Sequence, residues 1–191
     1  MPITSTLRSL LVFISLLLSH ALVAQQHNFE KHTLLDIFTE LPYHIDTQKP
    51  LVLFFLSPEC PLCQNYTQTI IQLNQQYKSK IQFLGIFPGK AYAPDVIRKF
   101  AEKYALDIAL YQDSDFELTR DVGATVTPSV ALYNTEGVQY FGAIDNALQE
   151  LGKKRVVVTD FYLKDAIESL LHHEPIRISK TVAKGCFINM R

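Results

Sequence analysis

The chain has 191 residues, 48% hydrophobic and 19% charged, with a formal net charge of −1 at pH 7. Such a composition suits one ordinary globular domain and excludes a disordered, repetitive or low-complexity chain. There is no basic excess or acidic tail, so no nucleic-acid partner is expected.

Residues 1–24 come first. Arg8 precedes the apolar run SLLVFISLLL (Ser9–Leu18), and SHALVA (Ser19–Ala24) ends on a small residue where cleavage would fall, the pattern of a secretory signal peptide. The run is short for a bilayer span of about 20 residues, so a membrane enters only if this segment stays uncleaved. No Cys follows Ala24, and a lipid anchor is not indicated. The expected mature chain starts near Gln25 and is exported, periplasmic or extracellular, to a compartment in which disulfides persist.

Residues 25–48 read as a lead-in segment. Leu34, Leu35, Ile37, Phe38 and Leu41 follow a helical spacing, which predicts a short helix before the turn at Asp46–Pro50. Leu51–Leu56 is a continuous apolar run of strand length, as in a strand buried on both faces. Tyr66, Ile70, Leu73 and Tyr77 predict a helix over Pro61–Lys78. A second buried strand is expected at Ile81–Phe87, then a helix at Pro94–Ala105 with its proline in the first turn. A short strand at Ile108–Tyr111 and one or two helical turns at Asp115–Asp121 follow. The segment TVTPSVALY, a turn at Asn134–Gly137 and Val138–Gly142 predict a hairpin. Tyr162, Leu163, Ala166, Ile167, Leu170 and Leu171 share one face of a closing helix over Phe161–His173. This order predicts an α/β domain over residues 49–173, a mixed central sheet flanked by helices with an inserted helix–strand segment, and a C-terminal tail over 174–191.

Only three cysteines are present, Cys60, Cys63 and Cys186, too few for a disulfide-stapled scaffold. The stretch LFFLSPECPLCQNY (Leu53–Tyr66) places two of them where a strand meets a helix. A Cys at a helix N-terminus has its sulfur near free N–H groups and the positive end of the dipole, which favours thiolate. Pro61 suits the first helical position. Disulfide exchange needs an attacking thiolate and a thiol that resolves the mixed disulfide, and Cys60 and Cys63 fit those roles in that order. Two alternatives stand beside this reading, a pair of unrelated buried thiols and half of a metal site. Zinc wants four ligands, and only Cys186 and scattered histidines are on offer, so no metal is assigned and no bound cofactor is required. Glu59 either tunes the Cys60 thiolate and helps move a proton or is an exposed carboxylate. His172 and His173 end the closing helix and are read as structural, and Tyr66 as core. Cys186 is either a small buried residue after Gly185 or a third thiol whose tail folds back to trap or resolve Cys60.

Over roughly Lys49–Leu171 the chain resembles the thioredoxin superfamily, and within it the exported redoxin branch of peroxiredoxin-like and cytochrome-maturation thioredoxins. The resemblance rests on LVLFFLSPE leading into CPLC, on DVGATVTPSVALYNTEG and on YFGAID. It implies a cis peptide at Thr127–Pro128, in a loop that lies against the cysteines and offers backbone to a substrate peptide. It also implies partners that are protein or small-molecule thiols and disulfides, with a separate redox partner. Glu59 stands where thioredoxins carry Trp, and Phe54 where they bury an acid, so proton transfer to Cys63 falls to water, Glu59 or the substrate. A peroxiredoxin-like, antioxidant thiol peroxidase is the alternative enzyme. Ser57 fits its hydroxyl position, but Leu53 replaces its proline and no Arg occurs from Val122 to Tyr133 to stabilise the peroxide oxygens. A Cu(I)-binding chaperone of the same fold ranks third, since those relatives use CxxxC with a distal His.

Overall fold

The computed structural model describes residues 29–150 and 153–190; the expected signal peptide, residues 1–24, lies outside the described residues. After a 3-10 turn at Phe29–Lys31, the lead-in forms a hairpin and not the expected helix. Thr33–Asp36 (β1) and Pro42–His44 (β2) pair antiparallel, with Leu34 opposite Tyr43. The cause is local: the Asp36 carboxylate accepts the N–H groups of Phe38 and Thr39, both at 2.8 Å, and Glu40 turns through a positive φ of 55°. The helical spacing was coincidental. Leu34 and Ile37 are buried, while Phe38 and Leu41 are 59% and 63% exposed.

The remaining elements are Leu51–Phe55 (β3), Pro61–Tyr77 (α1), Gln82–Pro88 (β4), Pro94–Tyr104 (α2), Ala109–Asp113 (β5), Glu117–Val122 (α3), Val126–Thr127 (β6), Ser129–Asn134 (β7), Gly137–Gly142 (β8), Leu148–Glu150 (β9), Lys153–Lys154 (β10), Tyr162–Leu171 (α4) and Cys186–Phe187 (β11). Seven strands form one mixed sheet in the order β2-β1-β5-β4-β3-β7-β8, in which β3 runs parallel to β4 and β4 parallel to β5. The inserted α2–β5 unit therefore widens the sheet, with β5 lying between β4 and the N-terminal hairpin.

All five residues of β3 are buried, which is why LVLFF carries no polar alternation. Successive side chains still point to opposite faces. Val52 and Phe54 join one core with Cys63, Phe83, Leu132 and Ile167, while Leu51, Leu53 and Phe55 join a second with Leu84, Ile86 and Leu118. Helix α4 buries Leu163, Ala166 and Ile167. No helix among the described residues is long and apolar enough to cross a membrane.

Candidate active site

The central strand β3 ends in a short loop that delivers Cys60 to the start of α1. Cys60 is the helix N-cap, with extended backbone at φ −76° and ψ 114°; its carbonyl accepts the Gln64 N–H at 3.1 Å, and the exposed Pro61 opens the helix. One turn further in, Cys63 is fully buried, and the Ser57 N–H donates to its Sγ at 3.4 Å. Burial pushes the Cys63 thiol from 9.0 up to about 11, against the opposing hydrogen bonds from the Ser57 N–H and the Thr127 side chain. Both cysteines are buried, but Cys60 stands at the helix N-terminus, a position that favours thiolate, while Cys63 lies a turn deeper with its thiol pushed up by burial.

That shift has a sign in stability. Because the folded state holds the Cys63 proton to a higher pH than the unfolded state, the contribution is fully present below pH 9.0 and is lost as pH rises through about 11. The expected loss is about 2–3 kcal/mol. Urea unfolding of the wild type and Cys63→Ser, compared from neutral to strongly alkaline pH, checks it; parallel pH curves for the two would count against it.

The Thr127–Pro128 peptide, at the end of β6, is cis. Thr127 is buried and faces both sulfurs: its carbonyl oxygen lies 3.3 Å from Cys60 Sγ, and its side chain bonds to Cys63. The exposed Glu59 accepts the Tyr92 hydroxyl at 3.2 Å, and the Ser57 hydroxyl donates to Tyr92 at 3.3 Å. Tyr92 was not singled out from the sequence, where KAYAPD reads as an ordinary loop before a helix. Tyr66 is only partly buried, and its hydroxyl donates to the buried Asp145 at 2.5 Å. His172 and His173 are exposed at the end of α4. Among the described residues no group of three or more His, Cys, Asp or Glu side chains could hold a metal ion.

The C-terminal tail completes the site. Cys60 is disulfide-bonded to Cys186, with the Cα atoms 6.2 Å apart, and Cys63 is the free thiol. Exchange was expected between Cys60 and Cys63, with Cys186 either a small buried residue or a thiol folded back onto Cys60; in this structure the bond joins Cys60 to the tail. Strand β11 pairs antiparallel with β6, Cys186 opposite Thr127 and Phe187 opposite Val126, and the Ile188 N–H donates to the Thr125 carbonyl at 2.9 Å. Earlier in the tail, Lys180 bridges Phe141 of β8, and the Thr181 hydroxyl bonds to the Tyr140 hydroxyl at 2.6 Å and accepts the Ala143 N–H at 2.9 Å. Two glycines make room for this path. A Cβ on Gly185 would collide with the Thr127 carbonyl, and one on Gly142 (φ +147°) with Thr181. A cavity of about 250 Å³ remains beside the tail, lined by Ser57, Glu59, Cys60, Tyr92, Cys186 and Phe187 among others.

No curated protein matches the chain significantly in sequence. Among solved structures, an uncharacterized conserved protein from Geobacillus kaustophilus superposes with a TM-score of 0.73 at 20% identity, over 84% of this chain and 88% of that one. A hypothetical protein from Sinorhizobium meliloti 1021 gives 0.71 at 20% identity, over 82% and 88%. A thiol-disulfide oxidoreductase from Bacteroides fragilis NCTC 9343 gives 0.50 at 16% identity, over 57% of this chain and 85% of that one. At these identities the likeness is one of fold. A family model described as a thioredoxin-like domain matches residues 41–154, which span the strand–CPLC–helix junction, the cis Thr127–Pro128 loop and the hairpin after it, and the chain belongs to that family.

Proposed function

We propose that the protein is an exported thiol:disulfide oxidoreductase that exchanges disulfides with protein or small-molecule thiols through Cys60, with Cys63 as the resolving thiol. The observation that carries this reading is a disulfide-bonded sulfur at the N-cap of α1, lying against the Thr127 carbonyl at the edge of β6. A thiolate at Cys60 attacks a substrate disulfide, forming a Cys60–substrate bond and releasing the other substrate sulfur as thiolate. Cys63 then attacks Cys60 Sγ and the second substrate sulfur leaves; the Cys60–Cys63 disulfide so formed passes to the tail when the Cys186 thiolate attacks Cys60 Sγ and Cys63 departs to take up its proton again. Run backwards, the same steps oxidise a substrate dithiol.

Cys63 has to give up its proton during resolution. Phe54 supplies no base, and Glu59 is engaged by Tyr92. The departing substrate thiolate is then the acceptor, and the Thr127 side chain supports the Cys63 thiolate as it forms. Pro128 shapes the groove beside Cys60 and Pro61 fixes the helix start. Export is supported by the signal-peptide pattern of residues 1–24 and by a disulfide, which persists best in an oxidising compartment.

One preparation tests the reading against its competitors. Turnover of insulin or glutathione disulfide, consumption of hydrogen peroxide, and bound copper and zinc are measured on the same sample. Disulfide turnover should dominate, with little peroxide consumed and metal well below one per chain. Peroxide turnover exceeding disulfide turnover, or one tightly held copper per chain without reductase activity, would overturn it.

A further inference from the structure

We propose that Cys186 is a third exchanging thiol, the one through which a dithiol reductant reaches Cys60, and that its strand closes the pairing edge of β6 until that reduction occurs. The proposal rests on Cys60 being the exchanging sulfur.

The tail has a built seat. Gly142 and Gly185, far apart in sequence, each leave the space that the tail or its neighbour fills. Thr181 fastens the tail to Tyr140 and Ala143, and β11 uses the backbone edge of β6 that an extended peptide would need. While β11 is in place, a second strand cannot pair there. The tail is thus a resident peptide bonded to Cys60.

Access and leaving-group chemistry decide how this bond opens. Cys60 is 3% exposed and Cys63 is fully buried, whereas Cys186 is half-buried and followed by Phe187, which is 87% exposed. An incoming thiolate therefore meets Cys186 first. Attack on Cys186 Sγ expels Cys60, whose thiolate is stabilised by the N-terminus of α1, and a leaving thiol of lower pKa departs faster. Opening from inside runs against both factors. With no substrate thiolate beside it to take its proton, the buried Cys63 stays protonated, and its attack on Cys60 would expel Cys186, which is on no helix.

One thiolate of the dithiol attacks Cys186 Sγ, the Cys60–Cys186 bond breaks, and the electron pair leaves on Cys60 Sγ. The second thiolate of the reductant attacks its own sulfur in the mixed disulfide and releases Cys186 as thiolate. The reductant ends as a disulfide, and two electrons reside on Cys60 and Cys186. The freed end of the tail remains tethered at Thr181, five residues away, within a reach of roughly 17 Å. Phe187, exposed beside the attacked sulfur, is the contact such a reductant meets.

The oxidised mature chain carrying Cys63→Ser is treated with reduced glutathione, quenched with an alkylating reagent and mapped by mass spectrometry. The glutathione adduct should lie on Cys186, with Cys60 alkylated, in about tenfold excess over the reverse. An adduct chiefly on Cys60 with Cys186 alkylated would overturn the proposal. In the wild type, dithiothreitol below one equivalent should expose Cys60 and Cys186 together; an alkylated Cys186 beside a Cys60–Cys63 bond would show opening by Cys63 and overturn it as well. Gly185→Val keeps all three thiols and removes the seat. In the oxidised protein its Cys186 should be open to alkylation, whereas that of the wild type is held in the disulfide; a Cys186 as protected as the wild type's would overturn the closed edge. Failure here is distinguishable from failure of the oxidoreductase reading: glutathione on Cys60 with insulin turnover intact removes only the role of Cys186, whereas insulin turnover that survives Cys60→Ser removes the role of Cys60.

Discussion

Replacing Cys60 by Ser is expected to reduce disulfide turnover to the uncatalysed rate. A hydroxyl does not ionise at neutral pH and forms no disulfide, so the first covalent step is lost and not merely slowed. Cys63 offers no substitute. It is fully buried, and with its thiol pushed to about 11, only about one molecule in ten thousand carries the thiolate at pH 7. Cys63→Ser, in a Cys186→Ser background that also removes the tail thiol, should fail differently: Cys60 still attacks, nothing resolves the product, and a Cys60–substrate disulfide accumulates. Insulin reduction followed by turbidity, with mass spectrometry of the trapped species, separates the two defects. Full turnover by Cys60→Ser, or no trapped species with Cys63→Ser in the Cys186→Ser background, would contradict this division of labour.

The largest expected effect on stability is at Phe54. It is fully buried in the central strand, lies between Gly85 of β4 and Val130 of β7, and stacks on Phe83 with ring centroids 6.0 Å apart. Phe54→Ala should cost about 3–5 kcal/mol, since it removes a large apolar group from a position where the neighbouring strands leave little room to collapse. Against a total of about 5–15 kcal/mol for a domain, that loss leaves a marginal fold. The chain has no Trp, so denaturant unfolding is best followed by far-UV circular dichroism. Phe38→Ala, at an exposed position in the lead-in turn, should change stability by less than about 0.5 kcal/mol. Equal effects at the two positions would contradict the placement of the core. The same geometry explains the departure from the thioredoxin pattern: with Phe54 sealed between strands, the chain gains packing and forgoes a buried base.

The parts legible in the sequence are those written in local chemistry. LVLFF read as a strand covered on both faces, and Pro61 and the Tyr66–Tyr77 spacing fixed α1, whereas the cis Thr127–Pro128 loop beside the cysteines came only from the family resemblance. The lead-in misled because Leu34, Ile37 and Leu41 share a helical spacing, whereas the Asp36 carboxylate binds the backbone and bends the chain before a helix can form. The tail was legible only as one of two readings of Cys186, a small buried residue or a thiol folded back onto Cys60, and its strand pairing was not legible at all. Strand β11 is two residues long, and its partner, β6, is equally short and lies about sixty residues upstream, so neither has a periodicity to read. Its traces were a third cysteine and a glycine before it. The fit of Gly185 against Thr127, and of Gly142 against Thr181, exists only in three dimensions. Tyr92 was out of reach likewise, since its link to Glu59 joins loops that the sheet brings together.

In the proposed scheme Cys60 carries the exchange and rests bonded to the tail. Disulfide mapping of the native, oxidised mature protein by mass spectrometry, after alkylation of free thiols under native and then denaturing conditions, tests this most directly. The expected map links the Cys60 peptide to the Cys186 peptide, with Cys63 alkylated only after denaturation. A Cys60–Cys63 bond with Cys186 alkylated in the native protein would contradict it.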